Sequence, residues 1–226
     1  TDISFKAKKG QTIAVIGSTG SGKSTLINLI PRYYDVTKGS VKVDGVDVRD
    51  MTQKELRDKL GYVPQKGVLF SGTIDSNIRY GKPEITDAQV KEAAEVAQAT
   101  EFIDTKPEKY ESPVSQGGTN VSGGQKQRLS IARAIAKNPE IFIFDDSFSA
   151  LDFKTDSQLR KALKEYTKDA TTVIVAQRIS TILGADQIIV LDDGHMAGIG
   201  THKELMANCE VYQQIARSQL SEEELA

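Results

Sequence analysis

The sequence predicts an α/β fold built on a mainly parallel sheet, and three observations carry that expectation. The runs Ile141-Phe142-Ile143-Phe144, Thr172 to Ala176 and Gln187 to Leu191 are apolar throughout, with no polar alternation. That is the pattern of strands buried on both faces. Helical stretches separate these runs, as crossovers between parallel strands require. A further apolar run, Gln11 to Ile16, ends in the glycine-rich segment Gly17 to Thr25 and leads into a helix.

Taken in chain order, Ile3, Phe5 and Ala7 alternate with polar neighbours and predict a half-exposed strand. Ser24 to Ile30 reads as the first turns of a helix. Ser40 to Val43 reads as a strand closed by the Asp44-Gly45 turn. Thr52 caps a helix running to Leu60, with Glu55 three residues on as its reciprocal partner. Gly61 to Gln65 is a strand stopped by Pro64. From about Ile74 to Lys137 the texture is helical. Thr86 caps Asp87 to Ala99, where Val90, Ala93, Ala94 and Ala97 recur at helical spacing, and Gln125 to Ala136 repeats the pattern through Leu129, Ala132 and Ile135. Glu204 to Leu220 is an amphipathic helical region with Leu205, Tyr212, Ile215 and Ala216 on its apolar face, followed by a solvated Ser221 to Glu224 tail. The expected organisation is one domain over 1–226, with a core at about 1–73 and 138–226 and a helical insertion at about 74–137.

Composition narrows the function. At 226 residues and 38% hydrophobic content the chain can bury a substantial core. Its 29 Lys and Arg against 31 Asp and Glu leave a net charge of −2, which disfavours a nucleic-acid partner. No apolar stretch approaches the roughly 18 residues of a membrane helix, and no signal-peptide core opens the sequence, so the chain itself reads as soluble and cytosolic. Cys209 is alone, which excludes an internal disulfide, and reads as a packing residue in a C-terminal helix. His195 and His202 stand beside glycine turns and read as surface residues.

Gly17-Ser18-Thr19-Gly20-Ser21-Gly22-Lys23-Ser24-Thr25 fits the phosphate-cradling pattern G-x-x-x-x-G-K-[ST] at every fixed position. Glycine permits the backbone curvature that turns successive N–H groups toward phosphate oxygens, and the following helix adds its positive end. Lys23 reaches the β- and γ-phosphates, and Ser24 offers its hydroxyl to Mg²⁺. The apolar strand ending in Asp145-Asp146 sets a carboxylate where ligands of open α/β sheets sit, and Asp145 holds the Mg²⁺ through water. Ser122, Gly123, Gly124 and Gln125 open a helix with two glycines, a second backbone site for an anion.

Together with Val121, those four residues resemble the L-S-G-G-Q signature of the ATP-binding cassette ATPases, with Val121 in place of the leucine. Gln65 matches that family's glutamine loop, Ser147 to Asp152 its S-A-L-D segment and Thr171 to Ser180 its switch region. The resemblance implies a P-loop NTPase (RecA-like) core, an incomplete N-terminal antiparallel β part, ATP and Mg²⁺ as cofactors, and nucleotide contacts from Asp152. It implies Gln65 as both metal ligand and participant in catalysis. Two such domains sandwich ATP head to tail, so Ser122, Gly124 and Gln125 serve a nucleotide held by the partner. Leu69 to Ile74 and Asn77 to Gly81 look like the exporter branch, of multidrug or lipid type. There the ATPase domain follows membrane helices and lies at the cytoplasmic face of the membrane, which makes transmembrane domains of the same transporter a second partner. The adenine-stacking aromatic expected just upstream of Ile3 is missing, and base stacking of this kind is worth about 1–3 kcal/mol.

Three departures qualify the match. Asp146 stands where active members carry a water-polarising Glu. Gln177 stands where they carry a histidine touching the γ-phosphate. Val114-Ser115-Gln116-Gly117-Gly118 replaces their V-G-E-x-G. The resulting expectation is one half of a heterodimeric exporter, whose own site binds ATP and turns it over slowly. A fully active homodimeric transporter ATPase, a non-transport cassette ATPase and a P-loop kinase of small metabolites stand as alternatives. Robust activity in the pure chain favours the first, a tandem chain with a basic face the second, and the third leaves Ser122 to Gln125 unexplained.

Overall fold

A computed structural model describes residues 1–221, so the Glu222 to Glu224 part of the expected tail lies outside the described residues. The chain divides into two compact units, residues 1–60 together with the chain from 170 onward, and residues 61–169.

In the first unit, residues 2–8 do not form the expected strand. Ile3 and Phe5 are half-buried between exposed neighbours as the alternation requires. Among the described residues, isolated bonds tie the segment down, such as Gln187 Nε2 donating to Lys6 O at 2.9 Å and Thr171 Oγ1 donating to Lys8 O at 3.3 Å. These are side-chain bonds, and a strand requires a backbone ladder. The chain then enters β1 (Thr12–Gly17), with Ile13 to Ile16 buried. Helix α1 (Lys23–Ile27) is shorter than its apolar pattern, because the chain tightens ahead of Pro31 into three-residue turns, Leu29 N to Leu26 O at 3.2 Å and Ile30 N to Ile27 O at 3.1 Å. Strands β2 (Lys42–Val43) and β3 (Val46–Asp47) pair antiparallel through Asp44 and Gly45. Both turn residues are left-handed, at φ 51° and 79°, the geometry of a tight hairpin. Helix α2 (Gln53–Asp58) begins at Thr52 with the anticipated reciprocal cap to Glu55.

The second unit begins around β4 (Leu60–Val63), which stops before Pro64. Strand β5 (Gly72–Thr73) leads into α3 (Ile74–Ile78), and α4 (Asp87–Val96) starts at Thr86 as expected. Helix α4 ends three residues early. Gln98 turns left-handed at φ 58° and Ala99 N bonds back to Ala94 O at 2.8 Å, a closure that frees the chain to start α5 (Thr100–Asp104). Strand β6 (Pro113–Val114) pairs antiparallel with β5, a two-residue ladder that sequence periodicity does not reveal. Helix α6 (Gly123–Ala136) starts from Ser122 and buries Leu129, Ala132 and Ile135. Strand β7 (Ile141–Asp145) lies beside β4, and Asp152 caps α7 (Phe153–Tyr166).

The remainder of the first unit supplies β8 (Thr171–Val175), β9 (Gln187–Asp192) and β10 (His195–Gly200), then α8 (His202–Asn208) and α9 (Glu210–Gln219). Strand β1 lies between β8 and β9 and runs parallel to both, with Val15 opposite Val175 and Gly17 opposite Leu191. Strand β10 returns antiparallel beside β9. Ala14, Ile16, Ile188 and Val190 pack with Leu205, Tyr212 and Ala216. The expected C-terminal helical region is two helices. They break at Cys209, which is extended and buried at the junction. A Cβ on Gly198 would lie 2.9 Å from its Sγ, so the thiol packs against bare backbone. His202 is half-buried, not a free surface residue: its Nδ1 lies 2.7 Å from the Tyr212 hydroxyl. Burial pushes that phenol up to about 12.

Candidate functional site

In the first unit, β1 delivers its last residue, Gly17, against the β9 backbone. A Cβ there would lie 2.2 Å from Leu191 O and 2.6 Å from Ser21 Oγ, so side-chain-free backbone is obligatory. Gly17→Ala therefore forces β1 and β9 apart. Overpacking of this kind costs about 1–3 kcal/mol, a fall in the melting temperature of roughly 2–10 °C readable by differential scanning calorimetry. Gly20 and Gly22 answer a different need. Neither would be crowded by a Cβ, but both are left-handed, at φ 82° and 99°, and Gly22 is the residue from which α1 starts.

Inside this loop Ser21 is 2% exposed, and its Oγ has no hydrogen-bond partner among the described residues. A buried hydroxyl left unpaired costs about 1–3 kcal/mol, and a ligand bearing acceptor oxygens would satisfy it. The Lys23 ammonium donates to Gly17 O and Ser18 O, both at 2.8 Å, and so rests over the loop it follows. Ser18, Thr19, Ser24 and Thr25 are exposed around it. At the same end of the parallel strands, Ala176 N donates to Val15 O at 3.1 Å, and the next residue, Gln177, is exposed. Phosphate loop and switch residue thus leave one edge of one sheet.

In the second unit, Asp145 and Asp146 end β7 and are each 8% exposed. Gln65 Nε2 donates to Asp146 Oδ2 at 3.1 Å, so two of the expected catalytic residues touch. Tyr62 OH donates to Asp145 Oδ2 at 3.3 Å, a contact the sequence reading missed because it depends on β4 lying beside β7. Gln127 was missed as well. It is fully buried in α6 and donates from Nε2 to Pro64 O at 3.0 Å, fixing the backbone just before Gln65. Its signal was present, as an amide at helical spacing from Ile131 and Ala134 on an apolar stripe. Asp146 is left-handed at φ 48°, a region Asp tolerates better than most residues.

Asp152 spends both carboxylate oxygens on α7, accepting from Thr155 N at 2.9 Å and Thr155 Oγ1 at 2.6 Å. Those bonds hold its carboxyl below the usual range. Ser122 accepts from Gln125 N and Gln125 Oε1 accepts from Ser122 N, both at 3.2 Å, a reciprocal cap that starts α6. Between them, Gly123 has no left-handed backbone and a Cβ on it would meet nothing within 4 Å, while Gly124 would make only an ordinary contact at 3.7 Å. Among the described residues, no packing contact requires these two glycines.

Comparison with known proteins gives four findings. The family model described as ABC transporter matches residues 1–149. The chain is 50% identical over 221 residues to an "Uncharacterized ABC transporter ATP-binding protein" of Mycobacterium tuberculosis (strain ATCC 25618 / H37Rv), covering 96% of this chain and 38% of that protein. It is 48% identical over 214 residues to a "Putative multidrug export ATP-binding/permease protein" of Staphylococcus aureus (strain NCTC 8325 / PS 47), covering 95% and 37%. A solved structure of "a bacterial Atm1-family ABC exporter with ATP bound" superposes with a TM-score of 0.90 at 40% identity, over 94% of this chain and 38% of that one. The chain thus spans under two fifths of the length of the relatives it matches.

Proposed function

The chain belongs to the ABC transporter family, and from that premise we propose that it is the ATP-binding domain of an exporter, one that grips ATP at its own phosphate loop and completes catalysis in a partner. The observation carrying this reading is the loop between β1 and α1. Its left-handed glycines, its orphaned Ser21 hydroxyl and its overlying Lys23 fit an anion with many acceptor oxygens. In this reading Gly17, Ser18, Thr19, Gly20, Ser21, Gly22 and Thr25 line the phosphates through backbone and hydroxyl groups, and Lys23 neutralises their charge. Ser24, Gln65 and Asp145 offer oxygen donors, the set Mg²⁺ prefers. When bound, ATP with Mg²⁺ supplies the reactive phosphoryl group and the binding energy of pairing.

Ser122, Gly123, Gly124, Gln125 and Asp152 belong to the facing surface. The two glycines of α6, unexplained within their own chain, suit the close approach of a nucleotide held by a second domain. Relatives named as export proteins and an exporter of the same fold support transmembrane partners for this domain, at the cytoplasmic face of a membrane. The polar, near-neutral composition supports no nucleic-acid partner.

The domain's own site is slow and its partner a different chain, because two groups lack reach or charge. Asp146 is one methylene shorter than a glutamate, so a water held by it stands back from the phosphorus. Gln177 donates one neutral hydrogen bond where a histidine could be cationic. The test is steady-state hydrolysis by the assembled transporter with single substitutions in this chain. Ser122→Ala, which removes a hydrogen bond to the partner's triphosphate, lowers turnover about tenfold, and Asp146→Asn changes it less than twofold. Equal losses from both would sink the asymmetry, as would brisk turnover by this domain alone.

A further inference from the structure

We propose that Gln219, at the end of the C-terminal helix, is a positioning residue that clamps the switch loop and so sets the preference of this site for ATP over ADP. The inference rests on the reading that Gln177 meets the γ-phosphate. Gln219 closes α9, and its side-chain amide engages the loop after β8 at both of its groups. Nε2 donates to Gln177 O at 2.8 Å and Oε1 accepts from Ile179 N at 2.8 Å. One carboxamide thereby imitates a strand partner for the stretch after β8 that has left the sheet. A pair of bonds to the residues on either side of Arg178 fixes both the height and the rotation of the peptide planes there.

The rest of the loop is fixed by packing. Ala176 is 3% exposed and Ile179 is 0% exposed, and both sit in the cluster that contains Tyr212 and Ala216 of α9. Helix α9 is therefore anchored on the loop by its apolar face, and Gln219 stands one turn beyond Ala216. Apolar anchors at 176 and 179, with polar clamps at 177 and 179, leave Gln177 and Arg178 as the exposed residues of the segment. The backbone of Gln177 is thus held while its side chain meets solvent at the edge where the phosphate loop also leaves the sheet. A γ-phosphate is what distinguishes ATP from ADP, so a group aimed at that position acts on ATP affinity and leaves ADP affinity alone.

The experiment uses the full-length transporter containing this chain, with 8-azido-ATP photolabelling read on the peptides of this chain and competed by ATP or by ADP. Hydrogen exchange of the 176–182 peptide runs in parallel. Gln219→Ala raises exchange at the Ile179 amide at least tenfold, leaves Thr172 to Val175 unchanged, and lowers the ATP-over-ADP preference about tenfold with ADP competition unaltered. Gln219→Glu keeps the acceptor for Ile179 N but sets a carboxylate oxygen against Gln177 O. It therefore retains Ile179 protection and still loses part of the preference. Gln219 is exposed and outside the apolar cluster, so both variants keep the fold, which circular dichroism checks. Unchanged Ile179 exchange in Gln219→Ala, or raised exchange with an unchanged preference, overturns the proposal. Gln177→Ala separates the two levels: if it lowers the preference while Gln219→Ala does not, only the clamp fails. If Gln177→Ala itself leaves the preference unchanged, the reading of Gln177 fails and the positioning role falls with it.

Discussion

Asp146→Glu raises hydrolysis at this chain's own phosphate loop by roughly 10²-fold. A displacement near 1 Å in an attacking group costs about that factor, and restoring it removes about 2.7 kcal/mol of barrier. The side chain is not free to compensate by moving. Asp146 is 8% exposed at the end of β7 and accepts from Gln65 Nε2 at 3.1 Å, so its carboxylate is pinned by a group that is itself part of the site. The longer arm also has a structural cost. Asp146 sits at φ 48°, where Asp is tolerated because its short polar side chain bonds locally. Glutamate lacks that advantage, and a loss of about 1 kcal/mol lowers the melting temperature by roughly 2–4 °C. The signature of a working base is thus a faster and slightly less stable protein. Single-turnover hydrolysis of γ-labelled ATP in the assembled transporter, with Ser122 of this chain replaced to silence the partner's site, measures it. An unchanged rate would mean that the shortened carboxylate is not what limits turnover, and the double substitution with Gln177→His would then decide between the two groups. The two acting as a unit would give a non-additive gain.

Much of this arrangement was legible in the residues themselves. The phosphate loop is legible because Gly20 and Gly22 answer to left-handed backbone, a local cause that leaves a fixed spacing, whereas the crowding of Gly17 by β9 is not itself visible in the sequence. The buried strands are legible for the same reason: β7, β8 and β9 have no polar face to alternate. The caps at Thr52, with Glu55 as its partner, and at Thr86 were both read from the sequence, while Gln89 as the partner of Thr86 was not. What was not legible depends on contacts between distant segments. Ile3 to Ala7 has the alternation of a strand but no ladder, and periodicity reports a buried face without reporting a neighbour. The β5 and β6 ladder joins residues some forty positions apart through two residues each, too short for any period. Tyr62 beside Asp145 and Gln127 beneath Pro64 follow from packing within the second unit alone. His202 was read from its glycine neighbours as a surface residue, and the Tyr212 hydroxyl that holds it comes from ten residues further on. Chemistry that needs a fixed local backbone writes itself into the sequence, and support from a second element does not.

The same distinction makes Gly123 the most informative position to change, because the proposed pairing places its cause outside the chain. Gly123→Asp stabilises this domain and abolishes its pairing. Within the chain, the new Cβ meets nothing within 4 Å, and α6 has no acidic residue in its first turn. Replacing glycine in a helix gains about 0.5–1 kcal/mol, and a carboxylate beside the positive helix end gains about 0.3–1 kcal/mol. The melting temperature rises by roughly 2–8 °C. Across the proposed interface the same carboxylate faces the triphosphate held by the partner. Like charges brought together in a desolvated contact cost several kcal/mol, and about 4 kcal/mol weakens ATP-induced pairing roughly 10³-fold. Light scattering of the ATP-bound pair and hydrolysis by the assembled transporter both read the loss. Gly123→Asn carries the same volume without the charge, so it gives up the helix-end part of the gain in stability and recovers most of the pairing. A stabilised Gly123→Asp domain that still pairs and turns over at the wild-type level would place the partner's nucleotide away from α6. The two glycines would then be left without a function, since nothing among the described residues of their own chain asks for them.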